Sequence, residues 1–224
     1  MYGTAEPVLV PASLLSQFAF GGGWYSAIYL TNHSPVAVSF PVRFTSDNGV
    51  PLVLPSIPTG TQAVSIPAGG TTIIEAPNTG SLVQGYASMN LPTGVTGYGV
   101  FRQSVQGRDD QEAVVPLANS STKKASITFD ETVFTTAVAI VNPAATTTTV
   151  TVVAHDTAGV TIGTSSLTLP PNGKGTFAVR SIPGLSGVVG KRGFIEFSVD
   201  SAGVGLLGLR FGGSAFTSIP ATEE

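Results

Sequence analysis

The chain repeats itself. Trp24-Tyr25-Ser26-Ala27-Ile28-Tyr29-Leu30-Thr31-Asn32 aligns with Phe134-Thr135-Thr136-Ala137-Val138-Ala139-Ile140-Val141-Asn142 at an offset of 110 residues. At the same offset Val42-Arg43-Phe44 faces Val152-Val153-Ala154, and Gly49-Val50 faces Gly159-Val160. Further matches pair residues 65–71 with 168–174, Gly85-Tyr86-Ala87 with Gly193-Phe194-Ile195, and Gly99-Val100 with Gly208-Leu209. A 224-residue chain that carries one pattern twice, at about 100 residues per copy, folds as two domains of one kind. The expected division is an N-terminal extended segment at 1–15, a first domain at 16–117, a linker at 118–126 rich in Ser, Thr and Lys, and a second domain at 127–224.

Within each copy the apolar period is two. Val38, Phe40, Val42 and Phe44 alternate with Ser39, Pro41 and Arg43, and Val150, Val152 and Ala154 alternate with Thr149, Thr151 and Val153. That is the pattern of strands with one face on a core. Turn signals separate the runs: Asp47-Asn48-Gly49, Pro67-Ala68-Gly69-Gly70, Pro92-Thr93-Gly94, Asp156-Thr157-Ala158-Gly159, Pro171-Asn172-Gly173 and Asp200-Ser201-Ala202-Gly203. No dozen residues free of Gly and Pro carry a 3.6 period. The predicted fold is all-β, two tandem antiparallel immunoglobulin-like β-sandwich domains related by the internal repeat. Pro41 marks its strand as an edge, because proline donates nothing to a ladder. Trp24 with Phe134, and Tyr86 with Phe194, are expected to fill equivalent core positions.

Phe20-Gly21-Gly22-Gly23-Trp24, Leu30-Thr31-Asn32, Val100-Phe101-Arg102-Gln103, Glu112-Ala113-Val114-Val115-Pro116 and Gly208-Leu209-Arg210-Phe211 resemble segments of uncharacterised bacterial secreted proteins built of tandem immunoglobulin-like β-sandwiches. The resemblance covers about residues 16–220. It implies export and a sandwich fold, and it carries over no catalytic or ligand residue.

Composition closes several routes to function. The chain has no Cys, which removes disulfides, thiolate metal sites and thiol nucleophiles. Only ten Lys and Arg, scattered and outweighed by thirteen acids, give no basic groove for nucleic acid. Mean hydropathy is +0.32, yet residues 137–154 are cut by Asn142-Pro143 and four threonines, so no membrane insertion is expected. Met1-Tyr2-Gly3 opens neither a basic nor an apolar leader region.

Motifs that could carry chemistry are few. Residues 203–208 match the Gly-x-Gly-x-x-Gly dinucleotide pattern, but β-like Leu209-Arg210-Phe211 and then Gly212-Gly213 follow where a helix is needed, so no cofactor is expected. The two histidines, His33 and His155, read as exposed loop and turn residues, His155 with Asp156 beside it, and no nucleophile elbow accompanies them. No catalytic residue is assigned and the chain is expected not to be an enzyme. Asp109, Asp110 and Glu112 are weak candidates for Ca²⁺, with Arg108 neutralising them from within; a solvated hairpin tip is the expectation, and no metal site is assigned. Asp130-Glu131 reads as a loop pair.

Tyr25, Tyr29 and Tyr98 align with Thr135, Ala139 and Leu207, which makes them the aromatics expected at the surface, where rings stack on sugars or partners. The small net charge of −3 and the scarcity of charged residues, 10%, favour association. Glu6-Pro7-Val8-Leu9-Val10-Pro11-Ala12 resembles residues 112–118 and 216–221, the strands that close each copy. Val8, Leu9 and Val10 therefore form a candidate assembly strand that adds to a neighbouring molecule. The expected function is a non-enzymatic structural protein, extracellular or at the cell surface, whose partner is itself, assembled head to tail into a filament or layer. The alternative is a cell-surface adhesion or carbohydrate-binding module that recognises glycans.

Overall fold

The computed structural model describes residues 13–200 and 203–224; Val8, Leu9 and Val10 lie outside them. Nine strands form the first half: β1 (Ser13–Phe20), β2 (Trp24–Asn32), β3 (Val38–Ser46), β4 (Thr61–Ile66), β5 (Thr71–Ala76), β6 (Val83–Met89), β7 (Val95–Gln103), β8 (Gln111–Pro116) and β9 (Ala118–Asn119). Nine more form the second: β10 (Lys124–Asp130), β11 (Thr135–Val141), β12 (Thr148–Asp156), β13 (Thr161–Leu169), β14 (Lys174–Ala178), β15 (Arg192–Ser198), β16 (Gly205–Gly212), β17 (Ala215–Ile219) and β18 (Thr222–Glu223). Two single 3₁₀ turns, Val179–Ser181 and Ser186–Val188, bridge β14 and β15. No α-helix occurs among the described residues, and so none is long and apolar enough to cross a membrane.

The strands make four antiparallel sheets, two to each sandwich. The first sandwich has the orders β4-β3-β6-β1-β9 and β5-β2-β7-β8. Adding nine to every label gives the second, β13-β12-β15-β10-β18 and β14-β11-β16-β17. β1 and β2 lie in opposite sheets, with β1 paired to β6, whereas the first two strands of an immunoglobulin domain are neighbours.

Alternation places the cores as expected. Phe40, Val42 and Phe44 on β3, and Val150, Val152 and Ala154 on β12, are buried, while Thr147, Thr149 and Thr151 are exposed. Two kinds of residue hold the same post in both copies. Asn32 is wholly buried and its Nδ2 donates to the carbonyls of Val36 (2.7 Å) and Pro67 (3.1 Å), while Oδ1 accepts from the Ser34 amide (3.0 Å). Asn142 does the same with Thr146 (2.8 Å), Pro170 (2.8 Å) and Ala144 (3.1 Å). A Cβ on Gly85 would collide with the carbonyl oxygen of Thr45, and one on Gly193 with that of His155, so both strands need glycine where the neighbour closes in.

Three expectations give way. β3 is an interior strand; it tolerates Pro41 because its ladder with β6 begins one residue later, at Val42 opposite Met89. The boundaries expected at 16 and 127 fall inside β1 and β10, and the stretch taken as a linker, 118–126, is packed structure. Its Ala118 and Asn119 pair with β1, Ser120 and Thr122 are buried, and Thr122 accepts from the Val204 amide (2.9 Å). Polar composition there reflects backbone and side chains held by neighbouring loops. Tyr86 and Phe194 stand on the outer face of their sheets: Tyr86 is buried only because the second sandwich covers it, and Phe194 is half-exposed.

Candidate interaction faces

The outer face of β14-β11-β16-β17 is covered by the first sandwich. Ala137, Ala139, Leu207, Leu209 and Phe216 point away from their own core, are buried, and join the core of the first sandwich. Phe216 reaches furthest, with its ring 5.2 Å from Phe101 and 5.7 Å from Trp24. Gly205 lets this face approach β1, since a Cβ there would press on the Leu14 side chain at 2.8 Å.

Polar contacts frame the junction. The side chain of Lys174 is fully buried; its Nζ donates to Gln17 Oε1 (2.6 Å) and lies 3.2 Å from Asp47 Oδ1. Burial pulls its ammonium below the ordinary lysine range, and the Asp47 carboxylate opposes that shift only in part. Tyr86 Oη donates to the Asn172 carbonyl (3.0 Å), and Arg108 Nη1 donates to that of Ser214 (2.5 Å).

Among the described residues no second sandwich lies on the same face of the first, where Ala27 and Val100 are buried and Ile73, Tyr98 and Val114 are exposed. Strand register sorts its outward residues into rows that cross the sheet β5-β2-β7-β8. One row is Ile73, Tyr29, Tyr98, Pro116; the next is Glu75, Ala27, Val100, Val114; a third is Tyr25, Arg102, Glu112. Ile73 (49% exposed), Tyr98 (44%) and Val114 (47%) give it an apolar middle. Tyr29 and Tyr98 stack, centroids 5.2 Å apart and planes at 16°. Tyr25 Oη donates to Glu75 Oε1 (2.6 Å); burial and then this bond to a carboxylate push the phenol up to about 12. Arg102 lies 5.0 Å over the Tyr25 ring and donates from Nε and Nη2 to Glu112 Oε2 (3.1 Å each). The structure thus gathers Tyr25, Tyr29 and Tyr98 on one surface.

The other residues weighed for chemistry lie apart from this surface or are engaged elsewhere. Glu112 is held by Arg102, and among the described residues no three Asp, Glu or His side chains gather to hold a metal, Asp109 and Asp110 included. The described glycines of 203–208 lie in a loop and in β16, with β17 following where a nucleotide would need a helix. His33 is exposed, with Nε2 3.0 Å from Thr96 Oγ1. His155 departs from its expectation. It lies within β12, half-buried, its ring 4.6 Å from that of Phe194 and Nε2 3.2 Å from Glu196 Oε2. Asp156, its neighbour in sequence, instead accepts from the amides of Ala158 (2.9 Å) and Val160 (3.0 Å) in the turn.

Glu131 was not legible as a site residue. Its side chain is fully buried, accepts from the Thr136 amide (2.6 Å) and pairs with Arg180. Beside it the Asp130 carboxyl is held down to about 2, chiefly by the Thr132 hydroxyl and amide and by Arg192. The distance from Glu131 to Arg180, 49 residues along the chain, leaves no local signal. Comparison with known proteins finds no matching family model, no matching curated protein and no matching solved structure.

Proposed function

We propose that this chain is a non-enzymatic structural protein that assembles head to tail, the bare face of its first sandwich docking on the second sandwich of another copy. One observation carries this. The sheet face that the second sandwich buries against its neighbour within the chain is present again on the first, where among the described residues Ile73, Tyr98 and Val114 are exposed. A contiguous apolar surface rimmed by charge marks an interaction site, and a contact between unlike surfaces propagates instead of closing in a pair. Glycan recognition is less well served here, because the Tyr29–Tyr98 stack turns one face of each ring toward the other ring. This reading rests on the sheet face; the candidate donated strand, Val8, Leu9 and Val10, lies outside the described residues. An extracellular or cell-surface setting is part of the proposal and rests on the resemblance to secreted proteins.

Sedimentation velocity over a wide concentration range, with electron microscopy of the most concentrated sample, tests the proposal. Wild type should associate with rising concentration. The variant Ile73→Asp/Val114→Asp should keep its unfolding midpoint and lose association. A wild-type chain that stays monomeric throughout, or one whose association ignores these substitutions, overturns the proposal.

A further inference from the structure

The geometry points to the register of the contact between copies: Glu112 of one copy meets Arg210 and Phe134 of the next. The inference rests on the head-to-tail reading above and goes beyond it by naming the residues that meet. It follows from the register of the two sandwiches. Ala27 opposes Val100 as Ala137 opposes Leu209, so Phe101 and Arg210, one residue on, are equivalent. Arg102 opposes Glu112 as Phe211 opposes Phe216, so Glu112 and Phe216 are equivalent. Trp24 and Phe134 are equivalent as well, each one residue before Tyr25 opposite Arg102 and Thr135 opposite Phe211.

Inside the chain the junction is made by Phe216 against Trp24 and Phe101. Exchanging each residue for its equivalent gives the contact between copies, Glu112 against Phe134 and Arg210. The chemistry of that site suits an arriving carboxylate. The Arg210 guanidinium lies 5.3 Å over the Phe134 ring, and its Nε is buried without a hydrogen-bond partner among the described residues. Both hydrogen bonds that Glu112 accepts from Arg102 go to Oε2, which leaves Oε1 to accept from a second donor. An apolar cluster thus serves the permanent junction, and an ion pair on an aromatic ring serves the one that must form and release between molecules.

Charge reversal tests the register by sedimentation and light scattering. Glu112→Arg and Arg210→Glu should each weaken association by about tenfold or more, and the double variant should recover most of that loss. Mixing the two single variants should also produce association that neither shows alone. Arg210→Met, which keeps the stem over Phe134, guards against a folding defect and should weaken association without lowering the unfolding midpoint. If the single variants associate as wild type does, or the double variant is no better than either, the register is wrong. In that event the loss of association in Ile73→Asp/Val114→Asp still upholds assembly through the bare face. A wild type that never associates overturns both.

Discussion

The sheets β5-β2-β7-β8 and β14-β11-β16-β17 have one backbone plan and opposite fates. Position by position, Tyr25 corresponds to Thr135, Tyr29 to Ala139, Tyr98 to Leu207, Arg102 to Phe211 and Glu112 to Phe216. In the second sheet the outward residues are small in the middle and apolar at the rim, so another sandwich approaches closely and water leaves. Each fully buried Leu or Phe there contributes about 1.5–3 kcal/mol. In the first sheet tyrosines and an Arg–Glu pair occupy those posts and remain in contact with water. What makes a sheet face interior is therefore the outward half of its alternation, which leaves strand order and register untouched.

The sharpest way to break this comparison is to place one charge at equivalent posts. Leu207→Asp should destabilise by about 4 kcal/mol, because an unpaired carboxylate enters the junction. Tyr98→Asp should cost under about 1 kcal/mol, its site being open to water. Denaturant unfolding of both variants gives the answer, and similar losses would mean that the first face is not a free surface.

Where the copies agree, effects should agree. Asn32→Ala and Asn142→Ala each leave buried carbonyls and an amide without partners, so each should cost about 2–4 kcal/mol. A difference beyond about 1 kcal/mol between them would show that the shared hydrogen bonds do not carry shared weight.

The smallest effect is a contrast in alkaline titration. Tyr25 on the bare face is raised to about 12 from 10.0, so the folded chain holds that proton more tightly than the unfolded one. The resulting stability is complete below pH 10 and drains away as the pH rises toward 12. Lys174 on the covered face is shifted down, so the folded chain releases its proton first. Between its folded value and the ordinary lysine value, stability rises with pH. Phenolate absorbance of Tyr25→Phe against wild type, and unfolding midpoints of Lys174→Met across the same range, separate the two slopes.

Much of this was legible in the chain. The 110-residue offset located both copies of the asparagine post, and period-two alternation placed Phe40, Val42, Val150 and Val152 inside. The alignment of Tyr25, Tyr29 and Tyr98 with smaller or aliphatic residues was itself the signature of the two unlike faces. The junction was not legible. Alternation tells which residues share a face, and it does not tell what covers the second face, so nothing in Leu207 or Leu209 announced the sandwich that lies over them. Lys174, His155 and Glu131 escaped for a related reason: each is partnered by a residue at least 41 positions away, beyond the reach of local pattern.

Phe216 carries a consequence for synthesis. It completes the aromatic cluster of Trp24 and Phe101, yet it follows Pro116, the last residue of β8, by 100 residues. At typical elongation speeds of about 5–20 residues per second the first sandwich waits roughly 5–20 seconds on the ribosome for its missing ring. During that interval Leu14, Trp24 and Phe101 lack their cover, and a nascent chain on the same message offers the same unfinished surface. Crowded translation is therefore the moment at which this protein is most exposed to joining the wrong neighbour.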